Sequence, residues 1–144
     1  MENYLIRDFK SADFEGLMEV WLLTNLGNAK RGDNLEIIEQ SIEMGGKMLV
    51  VESSSKIIGT SWMTFDGRRI HLHHFGIHPD YQHKGLGLLL AKESLKFVKK
   101  KGYQVKLEVH KDNQTAINLY KKLGFTYLGD YDVYIIRDIG IIEG

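Results

Sequence analysis

Residues 70–98 read IHLHHFGIHPDYQHKGLGLLLAKESLKFV, and the order of parts in this segment sets the architecture around it. An extended run leads from Ile70 to Pro79, the only proline of the chain. A tight basic loop follows, Gln82-His83-Lys84-Gly85-Leu86-Gly87, and opens a long helix that Gly102 stops. The first N–H groups of a helix have no carbonyl one turn earlier to bond, and the aligned peptide dipoles place about half a positive charge there. An anion at that end is held by the backbone itself. Gly85 and Gly87 can take positive φ and admit a ligand close to the main chain, while His83 and Lys84 add donors beside them. An ordinary strand-to-helix turn uses the same residue types, so the loop alone leaves both readings open.

Spacing excludes two kinds of anion site. The loop lacks the Gly-Lys-Ser/Thr ending that would hold Mg²⁺, and Leu90 stands where G-x-G-x-x-G requires its third glycine. A nucleoside triphosphatase and a dinucleotide-dependent oxidoreductase are thereby disfavoured, which leaves a diphosphate held without metal.

The 144 residues suit one domain, residues 1–144, with a single core. Apolar residues at 43% and charged residues at 26% are ordinary for a soluble globular chain. Lys plus Arg and Asp plus Glu number 19 each, and this balance argues against nucleic acid as a partner, although lysines 92 to 101 form a local basic run. The absence of cysteine removes disulfides, thiolate metal sites and any acyl intermediate on an enzyme thiol. The first twenty residues carry five acids and no continuous apolar run. Neither a signal peptide nor a membrane span is expected, and the chain is read as cytoplasmic.

On the N-terminal side, Tyr4 to Asp8 reads as a strand, and Phe14, Leu17, Met18, Trp21 and Leu22 fall on one helical face. Gly27 to Asp33 is a turn-rich break whose Lys30 and Arg31 could edge a substrate site or simply connect. Leu35, Ile38 and Ile42 mark a second helix that ends at Gly45-Gly46. Lys47–Ser53 and Lys56–Phe65 read as a hairpin, and Asp66-Gly67 turns the chain into the strand that ends near His78. On the C-terminal side, Leu88, Ala91, Leu95 and Val98 line the inner face of the long helix, and a strand over Val105 to Val109 needs a right-handed crossover to a parallel neighbour. Ala116, Leu119, Tyr120 and Leu123 share a face of a last helix, capped by Thr115 or Asn113 and ended by Gly124. Thr126–Leu128 and Asp132–Arg137 read as two final strands. The fold class is α/β with a mixed sheet.

Two motifs stand in a fixed order. Gln82-His-Lys-Gly85-Leu-Gly87 matches Arg/Gln-x-x-Gly-x-Gly/Ala, and Asn113, Ala116, Leu119, Tyr120, Gly124 and Phe125 match Asn-x-x-Ala-x-x-Leu-Tyr-x-x-x-Gly-Phe. In both, the chain resembles the GCN5-related N-acetyltransferase (GNAT) superfamily. The resemblance implies a GNAT-like, mostly antiparallel twisted sheet of about seven strands and about four helices. It also implies that the strand ending at Ile77 splays from the one ending at Val109.

Acetyl-coenzyme A is the implied co-substrate, its pantetheine arm pairing like an added strand with the backbone near Phe75, Gly76 and Ile77. Gln82, His83, Lys84, Gly85, Leu86, Gly87 and Leu88 would cradle its diphosphate. Asn113 matches the family's cofactor-contacting asparagine and equally suits a helix cap. The implied reaction moves the acetyl group to a primary amine by direct attack in a ternary complex. Tyr120 matches the family's Leu-Tyr position and is the expected general acid, since a phenol with a reference pKa of about 10 is protonated at pH 7.

Glu108, in Leu-Glu-Val-His, is similar to the glutamate of the ribosomal-protein N-terminal acetyltransferases and is the expected base, with His73 as its rival. His71 and His73 share a strand face by the period of two, with His74 opposite, and no third ligand stands at a convincing spacing, so no metal is expected. Arg68 and Arg69 could present positive charge to a carboxylate on the acceptor. The acceptor is a small-molecule, peptide or protein amine, no membrane partner is expected, and a homodimer is one open assembly. A coenzyme A-binding sensor or interaction module without turnover is the alternative.

Overall fold

A computed structural model describes residues 3–27 and 32–144, so Lys30 and Arg31 lie outside the described residues. The chain divides into two compact units, Met1–Glu108 and Val109–Gly144.

The first unit is built on a five-stranded sheet in sequence order: β1 Tyr4–Asp8, β2 Lys47–Ser53, β3 Lys56–Phe65, β4 Arg69–Ile77 and β5 Gln104–Leu107. The first four strands are antiparallel, and β5 runs parallel to β4. Among the described residues of this unit the α-helices are α1 Phe14–Thr24, α2 Leu35–Glu43 and α3 Leu86–Lys101. Side-chain alternation along β3 assigns them to opposite faces. Trp62 packs in one cluster with Leu17, Val20 and Trp21 of α1 and Ile38 of α2. Its neighbour Ser61 points the other way and meets Ser94 of α3, Oγ to Oγ, at 2.7 Å. Met48–Val51 and Ile57–Met63 are therefore buried on both faces; Met48–Val51 accordingly reads as a continuous apolar run, while β3 buries Thr60 and Ser61 in its middle with hydrogen-bond partners. Each core indole finds an acceptor: Trp21 Nε1 donates to Thr60 Oγ1 at 3.0 Å and Trp62 Nε1 to Ser41 Oγ at 2.9 Å.

The inner faces of two helices differ from the sequence expectation. In α1, Leu17, Val20 and Trp21 are buried while Leu22 is 80% exposed, so Val20 and not Leu22 meets the sheet. In α3 the buried row is Leu86, Leu90, Ala91, Ser94 and Val98, rotated from the expected Leu88, Ala91, Leu95 and Val98. A serine does not look like a core residue, yet Ser94 is satisfied there by Ser61 and by the Leu90 carbonyl at 2.9 Å. β5 closes at Leu107, short of the expected Val109.

At the far edge, Arg7 of β1 holds Asp13 through two parallel bonds of 2.8 and 2.9 Å and Glu52 of β2 at 2.9 Å. Asp13 also accepts the Lys10 N–H, which fixes the turn that leads into α1.

The second unit contains one α-helix, α4 Gln114–Lys122, and a short 3-10 turn at Ile139–Ile141. Asn113 caps it by accepting from the Ala116 N–H at 3.2 Å. Gly124, at φ 102°, reverses the chain, the Phe125 N–H returns to the Tyr120 carbonyl, and the two rings meet edge to face with centroids 5.5 Å apart. That contact is a physical reason for Gly-Phe in the motif.

The two final strands do not form, so the sheet has five strands rather than about seven. The β-favouring residues from Thr126 onward are exposed, Tyr134 by 90%, and strand propensity is realised only where a partner backbone completes the ladder. Among the described residues no helix is long and apolar enough to cross a membrane.

Candidate active site

β4 outruns its parallel partner. Pairing to β5 covers Arg69↔Gln104 through Leu72↔Leu107 and stops, while His73–Ile77 continues against β3 alone. The His78 N–H goes to the Ile58 carbonyl of β3 at 2.7 Å, so by alternation the N–H and C=O of Ile77 face the opposite, open edge. There Gln82 Nε2 donates to the Ile77 carbonyl at 2.9 Å, bracing the loop against the strand end and leaving the Ile77 N–H directed into the opening. A Cβ on Gly76 would stand 2.7 Å from Leu26 Cδ1, so this stretch has no room for a side chain unless Leu26 moves. The sequence-predicted Phe75, Gly76 and Ile77 thus lie along the strand segment that β5 does not cover.

The loop then delivers the helix. His83 and Gly85 both take positive φ, 64° and 81°. Nothing lies within 4 Å of a Cβ built on Gly85, so glycine serves here for its backbone conformation. Gly85 is the N-cap of α3 without a side-chain cap, and Leu89 is the first residue whose N–H bonds back, to the Gly85 carbonyl at 3.2 Å. The N–H groups of Leu86, Gly87 and Leu88 precede it at the positive end of a 16-residue helix. Buried Leu86 anchors that first turn, while Gln82, His83 and Lys84 are exposed around it. A bare N-terminus with an open glycine suits a diphosphate.

Histidines fill the face of β4 that α1 and α2 cover. A bulge shifts the register between Thr60 and Trp62, and within it His74 takes φ 48°, rare for a side-chain-bearing residue. This turn corrects the expectation that His74 faces away: its Nδ1 sits 2.8 Å from His73 Nδ1, and its ring lies 4.6 Å from Trp21 and 5.1 Å from Trp62. His73 stacks on Trp62 at 4.6 Å, and its Nε2 meets Thr64 Oγ1 at 3.2 Å. Thr60 hydroxyl donates to the His74 carbonyl at 2.8 Å, which pins the bulge. His74 Nε2 approaches Asp33 Oδ2 to 3.1 Å, close but not aligned for a hydrogen bond.

The row continues outward through His71, whose ring is 5.2 Å from His73 and whose Nε2 is 3.9 Å from Glu108 Oε1. Burial, reinforced by the neighbouring imidazoles, pushes His73 down to about 3. Burial also lowers His71, against a smaller upward pull from Glu108.

A family model described as the Acetyltransferase (GNAT) family matches residues 14–125. The chain belongs to the GNAT acetyltransferase family. An acetyltransferase of Pectobacterium atrosepticum is 26% identical over 121 residues, covering 83% of this chain and 86% of the relative. A GNAT-family acetyltransferase from Staphylococcus aureus shares the fold at TM-score 0.77 and 19% identity, over 90% of this chain and 89% of that one. The PaiA N-acetyltransferase of Thermoplasma acidophilum, solved in complex with coenzyme A, matches at TM-score 0.70 and 25% identity, over 86% of this chain and 90% of its own.

In this GNAT chain the remaining sequence-predicted residues divide by unit. Glu108 is exposed one residue past β5, on the same side as His71. Asn113 and Tyr120 belong to α4, where Asn113 is the helix cap and Tyr120 is 8% exposed. Burial pushes the Tyr120 phenol up to about 12, so it keeps its proton throughout the neutral range. Trp21, Asp33, Thr60, Trp62 and Thr64 surround His73 and His74 without having been expected there. A bulge at a histidine leaves no mark in hydrophobic periodicity, and that bulge is what gathers them.

Proposed function

We propose that residues 1–144, acting as one domain, transfer the acetyl group of acetyl-coenzyme A to a primary amine. One observation carries this: β4 runs past the end of β5 and leads into a helix N-terminus. An open strand edge for an amide-bearing arm and a cradle for a diphosphate therefore follow one another along the chain, as a coenzyme A thioester requires. The PaiA relative, solved with coenzyme A, supports the same cofactor class here. In this proposal Phe75, Gly76 and Ile77 take the arm, residues Gln82 to Leu88 take the diphosphate, and Asn113 adds a contact.

The amine nitrogen forms a bond to the acetyl carbonyl carbon while the carbon–sulfur bond breaks. The Ile77 N–H donates to the carbonyl oxygen as negative charge grows on it, a kind of contribution worth about 3 kcal/mol. Tyr120 gives its proton to the departing thiolate, and Glu108 takes the proton that the attacking nitrogen loses. Glu108 is preferred over His73 because its carboxylate is exposed past the end of β5, whereas the His73 ring is packed on Trp62 with both nitrogens engaged, by Thr64 and His74. A cytoplasmic setting and a small-molecule or peptide amine belong to the same proposal.

The test mixes the purified chain with acetyl-coenzyme A and a panel of amines and follows free thiol. Release that saturates with amine is expected. Coenzyme A binding without release from any amine would favour the sensor alternative, and neither binding nor release would refute both.

A further inference from the structure

Where β3 turns into β4 lies a half-open cavity of about 300 Å³, walled by Phe65, Asp66, Arg68, Arg69, His71 and Lys106 among others. Its volume is at the lower end of those that hold small molecules. Three cations and one carboxylate line it, a net of two positive charges. The carboxylate is taken up by the turn itself: Asp66 Oδ1 accepts from the N–H groups of Arg69 at 2.6 Å and Arg68 at 2.7 Å. Those bonds hold Asp66 below the ordinary carboxylate range, so it stays charged at neutral pH. Among the described residues, none of Arg68, Arg69 and Lys106 forms an ion pair.

Strand pairing brings these charges together. Arg69 and His71 share a face of β4 by the period of two, and β5 sets Lys106 beside His71. Burial lowers His71, which keeps that wall neutral and leaves the charge to the arginines and the lysine. Phe65 supplies an apolar side, backed by Lys101, whose Nζ stands 4.4 Å from the ring centroid. A monoanion balances half of the net charge. A phosphate monoester carries about 1.5 to 2 negative charges at pH 7, on three oxygens that guanidinium forks and an ammonium can share.

The recess is separate from the α3 cradle. From Arg69 to Ile77 the strand covers roughly 26 Å at about 3.3 Å per residue, and α3 begins beyond that end. The two also differ in kind. The start of α3 offers backbone N–H groups, whereas in the recess Asp66 has taken those of the turn, and an anion meets side chains alone.

We propose that this cavity binds the phosphoryl group of a small phosphate monoester, held by Arg68, Arg69 and Lys106 with the organic part against Phe65. The assignment is independent of the acetyltransferase reading.

The test titrates glycerol 3-phosphate, O-phosphoserine, succinate and glycerol into the full chain at constant ionic strength. The ring signals of His71, assigned by their loss in His71→Gln, are followed by NMR. Saturable shifts from both phosphate esters, with Kd in the low-millimolar range or below, are expected, and none from glycerol. Arg68→Gln/Arg69→Gln and, separately, Lys106→Gln should raise that Kd by about tenfold or more, the range of a charge-assisted contact. Amide spectra of the variants away from the cavity should match the unaltered chain, which separates a lost contact from a lost fold.

Shifts that are absent, or that rise without saturating, would overturn the site. So would an unchanged Kd in either variant, because the ester would then bind elsewhere, as at the start of α3. Succinate matching the esters would overturn the phosphoryl assignment. A phosphoserine peptide that binds about tenfold tighter than phosphoserine itself would overturn the small-molecule one.

Discussion

His73 and His74 face each other through their Nδ1 atoms at 2.8 Å, a distance that admits one proton between them. One ring donates and the other accepts, so the pair is most stable when at least one imidazole is neutral. The bulge at His74 makes this meeting possible, and the stacked Trp21 and Trp62, 5.8 Å apart, enclose it.

Folding stability should therefore depend on pH through His73. His73 sits at about 3 in the folded chain against about 6.5 when unfolded. Above pH 7 both states are neutral and nothing is lost. As pH falls below 6.5 the unfolded chain binds a proton that the folded chain refuses, so stability declines until pH approaches 3, with His71 shifted in the same direction. Urea denaturation should show roughly 2 to 3 kcal/mol lost between pH 6.5 and 4.5 from His73 alone. His73→Gln should flatten that slope, and an equal slope in both proteins would count against a buried neutral His73.

Replacing Tyr120 by Phe keeps the ring that packs on Phe125 and removes only the hydroxyl. Turnover should fall by roughly 10² to 10⁴, the usual contribution of a positioned acid, with acetyl-coenzyme A still bound. With the phenol pushed up to about 12, its ionisation should cause no fall in kcat below pH 10. Unchanged turnover in the variant would remove Tyr120 from the mechanism.

Asp13→Ala leaves Arg7 without the partner that binds it through two oxygens, in surroundings where both side chains are largely buried. The Asp13 carboxyl is held below its ordinary value by the Arg7 hydrogen bonds, which marks the same attraction. Chemical denaturation should show a loss of about 2 to 3 kcal/mol, less than for a fully buried pair because Glu52 still meets Arg7. A loss below about 0.5 kcal/mol would place the pair with ordinary surface ion pairs.

Gly85→Ala separates backbone strain from ligand approach. Its φ of 81° costs a residue bearing a Cβ about 1 to 2 kcal/mol, and no neighbour lies within 4 Å to add a clash. Stability should drop by that amount, while acetyl-coenzyme A affinity should drop further because the methyl group stands beside the bare N–H groups. Equal affinity in both proteins would show that the ligand does not approach there.

The order of elements was legible because β2 and β3 are rich in β-favouring residues and the Gly-rich loop marks the start of α3. The parallel β4–β5 pair followed from the crossover rule. Ser94 and Leu22 misled in opposite senses, one a buried hydroxyl paired across the core and the other an apolar residue on the outer face of α1. Residues 126–137 show the limit of propensity, since Val133 to Ile136 favour a strand yet form no ladder. The glycine loop that begins α3 could also be read in advance. The gathering of His73, His74, Trp21 and Trp62 could not, because a bulge changes which way one side chain points without changing composition.

The central claim is that the open edge of β4 and the start of α3 together hold a coenzyme A thioester. Isothermal titration of the purified chain with acetyl-coenzyme A tests it most directly. Saturable one-to-one binding in the submillimolar range is expected, weakened by Gly85→Ala, whereas a titration with no heat of binding up to millimolar ligand would contradict the account.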